Sequence, residues 1–348
     1  MLPFLTSAWP PIAGYCPLDP ACFVVDEIPA YAPEGKGEHL FVHFRKTGLT
    51  TAQAVQCLAS TLGCDVRDCG WAGMKDKHAI TTQWASFPGV DVARLENFAH
   101  PQIELLEAQP HPHKLRTGHL KGNRFCLHLQ DLPAAQHSCV KDIVGRLAET
   151  GLANFYGLQR FRPGALDTAR RWIVEGQHAP KRPRDRKMLM SVWQAHLFNR
   201  WLTQRIEQGV FDRPVKGDLF RKEDTGGLFT TDDIEDAERR MQAFAISPTG
   251  PMFGARMRWS EGDAKDIEEA LLASESLSLE QLKPLARAGA GSRRVARVRI
   301  EEAQVETLDE NSLQLRFRLP KGSYATELLR EIFKRDDVRT PTSTACVF

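Results

Sequence analysis

The stretch Gly70–Trp84, GWAGMKDKHAITTQW, sets one acid, Asp76, among three basic side chains, Lys75, Lys77 and His78. Neighbouring cations favour the ionised form of a carboxylate, and the preceding glycines allow the backbone to approach a ligand closely. Such a carboxylate suits nucleophilic or general-base chemistry. The alternative interpretation is a solvated turn that leads into the strand pattern ITTQWASF, because charged turns are common on protein surfaces.

The composition is that of a globular protein with a substantial core. The chain has 348 residues, of which 42% are hydrophobic, and this length suggests two domains or one domain with a large insert. Its first residues, MLPFLTSAWPPIAGY, lack the features of a secretory signal, and no stretch approaches the roughly twenty apolar residues of a membrane span. We therefore expect a cytoplasmic protein without a membrane partner.

Cysteine and histidine positions do not indicate a metal or disulfide site. The eight cysteines include no CxxC pair, which argues against a zinc ribbon and against a disulfide framework. His111 and His113, like His100, stand next to prolines, which favour an extended surface loop over a metal site. We expect no metal and no metal ligands in this chain.

The charge of the whole chain is nearly balanced. It has 46 basic and 44 acidic residues, a net charge of +2, so the total does not indicate a nucleic-acid partner. Two short segments, KRPRDRK at 181–187 and SRRVARVR at 292–299, are basic enough to neutralise phosphates. A solvated surface explains each of them equally well.

The first half of the chain alternates strand and helix patterns. CFVVDEI and HLFVHFRK predict strands, the second with Leu40, Val42 and Phe44 on one face. TTAQAVQCLASTLG predicts a helix that a threonine opens and Gly63 ends in a left-handed conformation. Further strands are predicted for ITTQWASF, QIELLEA and RFCLHLQDL, and a helix for HSCVKDIVGRLAETG.

The middle of the chain differs from its two ends. Residues 155–300 are rich in helix and loop patterns, with RKMLMSVWQAHLFNRWLTQRIEQG as the longest helix and ISPTGPMFG as the sharpest break. SLQLRFRLP then predicts a strand, and Ser323 is expected to cap the next helix. We predict an α+β protein in which 1–154 and 301–348 build one sheet and 155–300 form an inserted domain.

Six motifs occur in the order and spacing of a known family. GWAGMKDKHAITTQW, KGNRFCLHL, NFYGLQRFRPG, SVWQAHLFNRWL, PTGPMFG and LPKGSYATELLREIF resemble the bacterial TruD family of tRNA pseudouridine synthases over nearly the whole chain. The resemblance implies a pseudouridine-synthase fold, with a central mixed, largely antiparallel sheet flanked by helices and an inserted family-specific α/β domain. It also implies isomerisation of uridine 13 in the D arm of tRNA to pseudouridine, without a cofactor, by a monomer that needs no obligate protein partner.

The same resemblance implies a substrate pocket. Phe23, Asn123 and Phe125 match family pocket positions, which are expected to receive a uracil that has left the RNA stack. Tyr324 stands where many relatives have phenylalanine, so the ring is kept and a hydroxyl is added. Without the resemblance, the two phenylalanines would be interpreted as strand core and Asn123 as part of a turn.

The resemblance also implies catalytic roles. The family nucleophile, the aspartate of the GxKD motif, carries over onto Asp76. Arg330, six residues after Tyr324, has the spacing at which other pseudouridine synthases pair an arginine with the catalytic aspartate, and Lys75 is the rival partner. A surface arginine near a helix end is the alternative for Arg330.

Two other function classes compete with an isomerase. A non-catalytic RNA-binding or RNA-folding protein could keep the fold, but the joint presence of Asp76, Asn123 and Phe125 argues against it. A hydrolase with paired carboxylates would need a second acid, and Asp76 has none within its motif. The sequence leaves open whether the carboxylate adds covalently or removes a proton from a glycal-like intermediate.

Overall fold

The computed structural model describes residues 2–157 and 160–341, which fall into two compact units. Of the residues described, the sheet unit comprises 10–145, 300–325 and 332–341. The helical unit comprises residues 2–9, 146–157, 160–299 and 326–331. The assignment of 155–300 as an inserted domain stays a prediction.

One large mixed sheet organises the sheet unit. Its strands are β1 (Phe23–Pro29), β2 (His39–Thr47), β3 (Gly70–Trp71), β4 (Ile80–Pro88), β5 (Ile103–His111), β6 (Leu120–Leu129), β13 (Glu301–Asp309) and β14 (Ser312–Pro320). They are ordered β13, β14, β6, β1, β4, β2, β5, with β3 added on β4. β1 and β4 pair in parallel, and the other neighbours pair antiparallel. Strands from both ends of the chain therefore build one sheet, which confirms that prediction.

The remaining elements include short strands and all the α-helices described. The strands are β7 (Leu152–Ala153), β8 (Phe220–Lys222), β9 (Leu228–Phe229), β10 (Ile246–Met252), β11 (Ser292–Val295) and β12 (Arg297–Val298). The helices are α1 (Thr51–Leu62), α2 (His137–Thr150), α3 (Ala165–Ile173), α4 (Pro183–Glu207), α5 (Ile234–Gln242), α6 (Gly262–Ala273), α7 (Leu279–Leu282) and α8 (Ala325–Phe333). No described helix combines the length and the apolar character that a membrane crossing requires.

α1 forms where the local signals predict it. Thr50 and Gln53 make a reciprocal capping box at its start, and Gly63 ends it with φ 74°. The predicted face of β2 packs on the buried stripe of α1 in a single core, which includes Leu40, Val42, Phe44, Ala54, Val55, Leu58 and Leu62. This packing fixes the first turn of α1 against the sheet.

The segment ISPTGPMFG is a buried strand, and the prediction of a break was wrong. Its first seven residues form β10 (Ile246–Met252), which pairs with β8 and β11 and is buried along its whole length. Pro248 has no N–H to contribute, but its carbonyl accepts a hydrogen bond from Ala296 N at 2.8 Å. At Gly250 a Cβ atom would lie 2.3 Å from the Trp201 ring, so glycine is required for α4 to pack on this strand.

Two other local predictions were wrong. His111 is not in a surface loop, because it ends β5, is buried and stacks on Tyr31 with ring centroids 5.2 Å apart. Ser323 does not cap α8, which begins at Ala325, and Ser323 Oγ is buried with no hydrogen-bond partner in the described structure.

Among the residues described, no group of three or more His, Cys, Asp or Glu side chains could hold a metal ion.

The basic segment SRRVARVR is largely internal, so its interpretation as a phosphate-binding patch was wrong for two of its arginines. The Arg293 side chain is 2% exposed and forms an ion pair with Glu268 at 2.7 Å. Arg297 is also buried, and its guanidinium donates to the carbonyls of Thr150, at 3.1 Å, and Met241. Buried cations that are already bonded cannot bind phosphates of an RNA.

Candidate active site

The register of β1 and β6 brings predicted site residues to one face of the large sheet. Val25 lies opposite Phe125, and Glu27 lies opposite Asn123. Directly opposite residues share a face, as do alternate residues of one strand. Phe23, Glu27, Asn123 and Phe125 therefore lie on the same face.

The two predicted phenylalanines belong to an aromatic cluster on this face. The rings of Phe23 and Phe125 meet edge to face with centroids 6.3 Å apart, and Phe317 stacks on Phe125 at 5.2 Å. Phe23 and Phe125 are only 5% and 7% exposed. The guanidinium of Arg339 covers the Phe23 ring at 4.4 Å from its centroid. The cluster is thus a packed aromatic wall with a cation on it.

Asp76 lies in the loop between β3 and β4. Exposure alternates over residues 74–76 of this loop. Met74 is 65% exposed and Asp76 is exposed, whereas the Lys75 side chain between them is 5% exposed. Asp76 Oδ1 accepts a hydrogen bond from His78 N at 2.8 Å, which fixes the carboxylate relative to its own loop. Within the described part of the sheet unit Oδ2 has no hydrogen-bond partner, so this oxygen is available for chemistry.

Lys75 anchors the loop to the sheet. Its Nζ forms an ion pair with Glu27 Oε2 at 2.5 Å, and both side chains are buried. Glu27 Oε1 also accepts from Trp84 N at 3.2 Å, and Lys75 N donates to Thr51 Oγ1 in the first turn of α1 at 2.9 Å. These bonds tie the residue before Asp76 to β1, β4 and α1.

A second lysine supports Asp76 from β2. Lys46 is fully buried, and its Nζ donates to the main-chain carbonyl of Asp76 at 2.8 Å. Burial lowers the pKa of Lys46 to about 8, with the charge of Asp76 opposing that shift and the charge of Lys75 adding to it. The backbone at Asp76 is therefore held from both sides, by Lys46 and by Thr51 through Lys75 N.

Several buried polar atoms near this loop lack partners. Asn123 Oδ1, Thr81 Oγ1 and Gln83 Nε2 are buried without a hydrogen bond in the described structure. Thr81 is the strand neighbour of Val25 on β1 and of Lys46 on β2. Buried polar atoms without partners are rare in proteins. This group fits a polar ligand that supplies both donors and acceptors.

Tyr324 immediately precedes α8, and Arg330 lies within this helix. Tyr324 is half-buried, in the turn between β14 and α8, and belongs to the sheet unit. Arg330 is 4% exposed and belongs to the helical unit, where its hydrogen bonds include those to the carbonyls of Leu2 and, at 3.2 Å, Pro3. The alternative of a surface arginine is therefore wrong, and the pairing of Arg330 with Asp76 stays a prediction.

Three residues of this region were missed by the sequence analysis. Glu27 follows Phe23 by four residues in one predicted strand, and Lys46 follows Val42 by four residues in another. Because side chains alternate between the two faces of a strand, this spacing would have placed Glu27 on the face of Phe23 and Lys46 on the face of Val42. Arg339 gave no such signal, because it follows the last predicted helix in a segment without a periodic pattern. Only the tertiary structure shows it beside Phe23.

Comparison with known proteins gives a consistent result. A sequence model of tRNA pseudouridine synthase D (TruD) matches residues 3–169 and 182–332. The chain is 42% identical over 344 residues to tRNA pseudouridine synthase D of Anaeromyxobacter sp. strain Fw109-5, covering 95% of this chain and 96% of the relative. It is 41% identical over 336 residues to a protein of the same name from Thermus thermophilus, covering 95% and 92%. A crystal structure from Methanosarcina mazei, provisionally described as this synthase, shares the fold with a TM-score of 0.74 at 22% identity, covering 96% of both chains.

Proposed function

Because this chain belongs to the tRNA pseudouridine synthase D (TruD) family, an isomerase family that acts on tRNA, we propose that it converts uridine 13 in the D arm to pseudouridine. The choice of uridine 13 as the target, its place in the D arm and the monomeric state of the enzyme are expectations from the family resemblance. A tRNA substrate also favours the cytoplasm as its place of action. The reaction needs no cofactor on this proposal, because it rearranges bonds within one nucleotide.

The chemistry requires a carboxylate beside the sugar. The bond from N1 to the sugar breaks, the uracil turns, and the sugar is bonded again through C5, which loses its proton while N1 gains one. Asp76 either adds covalently to the nucleotide or acts as the base on a route through a glycal-like intermediate. Either role needs an ionised carboxylate with a free oxygen, and Asp76 Oδ2 has no partner in the described sheet unit.

The uracil must leave the RNA stack before it can react, at a cost of a few kcal/mol. By the family resemblance, Phe23, Phe125 and Tyr324 supply the aromatic surface that receives it, with the buried Phe23 and Phe125 as its packed backing and the half-buried Tyr324 as its exposed part. The unpartnered Oδ1 of Asn123 can accept a hydrogen bond from N3–H of the uracil. A hydrogen bond to N3–H would orient the uracil while leaving either N1 or C5 able to face the sugar.

The observation that carries the proposal is the anchoring of the Asp76 loop on the sheet face with Phe23, Asn123 and Phe125. Lys75 of the loop is bonded to Glu27, which is the strand neighbour of Asn123. The carboxylate and the pocket residues are therefore positioned by one set of strands. Lys75 acts here as a positioning residue through its pair with Glu27.

The test is a position-resolved assay. The purified protein is incubated with an unmodified tRNA transcript, and pseudouridine is mapped at single-nucleotide resolution. We expect modification at position 13 and none in a transcript with cytidine there. Binding without any product would favour the alternative of a non-catalytic RNA-binding protein, and product at another position would correct the site.

A further inference from the structure

We propose that Arg339 is a positioning residue for Asp76, acting through the main chain of His78. This inference rests on the proposed function and adds a residue to it. Arg339 lies outside the residues matched by the family model, which end at 332. Its assignment comes from the contacts of its guanidinium with two parts of the site, the Phe23 ring and the Asp76 loop.

The link from Arg339 to Asp76 passes through one residue. Arg339 Nη2 donates to the carbonyl of His78 at 3.3 Å, and His78 N donates to Asp76 Oδ1 at 2.8 Å. The carbonyl that Arg339 holds and the N–H that holds the carboxylate thus belong to the same residue. Fixing the His78 carbonyl therefore limits how far the carboxylate can turn.

The same guanidinium also fixes the edge of the aromatic wall. It lies 4.4 Å from the centroid of the Phe23 ring, a distance at which a cation is attracted to the face of an aromatic ring. Its Nη2 donates to the carbonyl of Pro17 at 2.8 Å as well. Arg339 therefore joins the approach to β1, the first pocket ring and the catalytic loop.

The segment that carries Arg339 is itself held in place. Cys16 N donates to the carbonyl of Val338 at 2.9 Å, and Val338 is buried. Arg335 Nη2 donates to the carbonyl of Gly14 at 2.7 Å and to that of Thr340 at 2.9 Å. The position of the guanidinium is thus determined by a docked backbone.

An arginine suits this place better than a lysine does. A planar guanidinium can stack on a ring while its N–H groups, which lie in the plane, bond carbonyls at the edge. An ammonium could hold one of the two carbonyls but would lose the stacking geometry. Arg339 Nε is also buried without a hydrogen-bond partner in the described structure, which leaves a further donor beside Phe23.

The test compares two arginines of the same segment. Arg339→Met removes the contact with His78, whereas Arg335→Met removes contacts with Gly14 and Thr340. Arg335→Met keeps the bond from Cys16 N to the Val338 carbonyl and the buried Val338 side chain, which still dock the segment, so it serves as the matched control for a weakened docking contact. Single-turnover pseudouridine formation, the Kd for tRNA and the folded fraction are measured for both. We expect Arg339→Met to slow turnover roughly tenfold to a hundredfold, with Kd changed less than about threefold, and Arg335→Met to remain within about threefold in both.

Arg339→Lys gives the second variant. We expect a rate between those of wild type and Arg339→Met, because one carbonyl contact and the charge are kept. Wild-type rates in both Arg339 variants would overturn the inference, as would equal losses in Arg339→Met and Arg335→Met, which would indicate docking alone. If the wild-type protein forms no pseudouridine, the proposed function fails instead.

Discussion

Two of the three basic residues beside Asp76 in the sequence have structural tasks other than pairing with its carboxylate. Lys75 turns inward and is neutralised by Glu27. His78 contributes its main-chain N–H to the carboxylate, and the ammonium that reaches the backbone of Asp76 is Lys46 from β2. A cluster of charges in sequence therefore does not define the charges around a side chain in space, because Lys75 is buried against the sheet while Lys46 reaches the loop from another strand.

We predict that the effects of replacing Lys75 and Glu27 on the free energy of unfolding are strongly coupled. Lys75→Met or Glu27→Gln leaves one buried charge without its partner, and each should lower the free energy of unfolding by about 3–5 kcal/mol. The double variant should be markedly more stable than the sum of the two losses predicts, because no unpaired charge is left. Denaturant unfolding of the four proteins measures this coupling. Additive losses would contradict a direct pair.

Lys46 predicts a dependence of stability on pH. Its pKa is about 8 in the folded protein and ordinarily 10.5, so the unfolded chain binds more protons between these values. The contribution of Lys46 to the free energy of unfolding must then rise as the pH rises from about 8 to 10.5. The difference in stability between wild type and Lys46→Met, measured from pH 7 to 10, should grow in favour of the wild type. A flat difference would contradict a lowered pKa of Lys46 in the folded protein.

At the scale of elements, two basic segments of similar composition differ in burial. SRRVARVR becomes β11 and β12, where Arg293 and Arg297 are internal. KRPRDRK leads into α4, and its basic side chains are exposed. The difference lies in partners distant in sequence, such as Glu268 for Arg293. Composition alone does not reveal such partners.

This contrast predicts two kinds of variant. Replacing Arg184 and Lys187 with glutamine should weaken tRNA binding and reduce the slope of log Kd against log salt by up to about one unit per lost phosphate contact. Arg293→Met should leave the slope unchanged and lower stability by about 3–5 kcal/mol, because Glu268 loses its partner. Salt titrations and denaturant unfolding of both proteins make the comparison. An unchanged slope for the first variant would show that the exposed segment does not contact RNA.

At the scale of the whole molecule, the fold was largely predictable where local signals were strong. α1 carries both of its end signals in sequence, and β2 carries an alternating apolar face. The strand patterns at the two ends of the chain also predicted one shared sheet. The predicted roles of Asp76 and its pocket came from family motifs, since spacing alone would have favoured a solvated turn and strand core.

The remainder depended on contacts that no local pattern contains. β10 has two prolines and a glycine, yet burial and the close approach of Trp201 at Gly250 make it a strand. Arg339 follows the last helix and reaches Phe23 only because its segment is docked on residues far away in sequence. Such features follow from tertiary packing, which overrides local propensity.

The most direct test of the central claim is the rate of pseudouridine formation by Asp76→Asn under single-turnover conditions. Asparagine keeps the shape of the side chain and removes the charge that either route requires. Asp68→Asn, at another exposed aspartate of the sheet unit, is the matched control and should retain the wild-type rate. We predict no detectable product with Asp76→Asn and a Kd for tRNA within a few-fold of wild type. Product formation by Asp76→Asn near the wild-type rate would contradict the account and move the catalytic role to another residue.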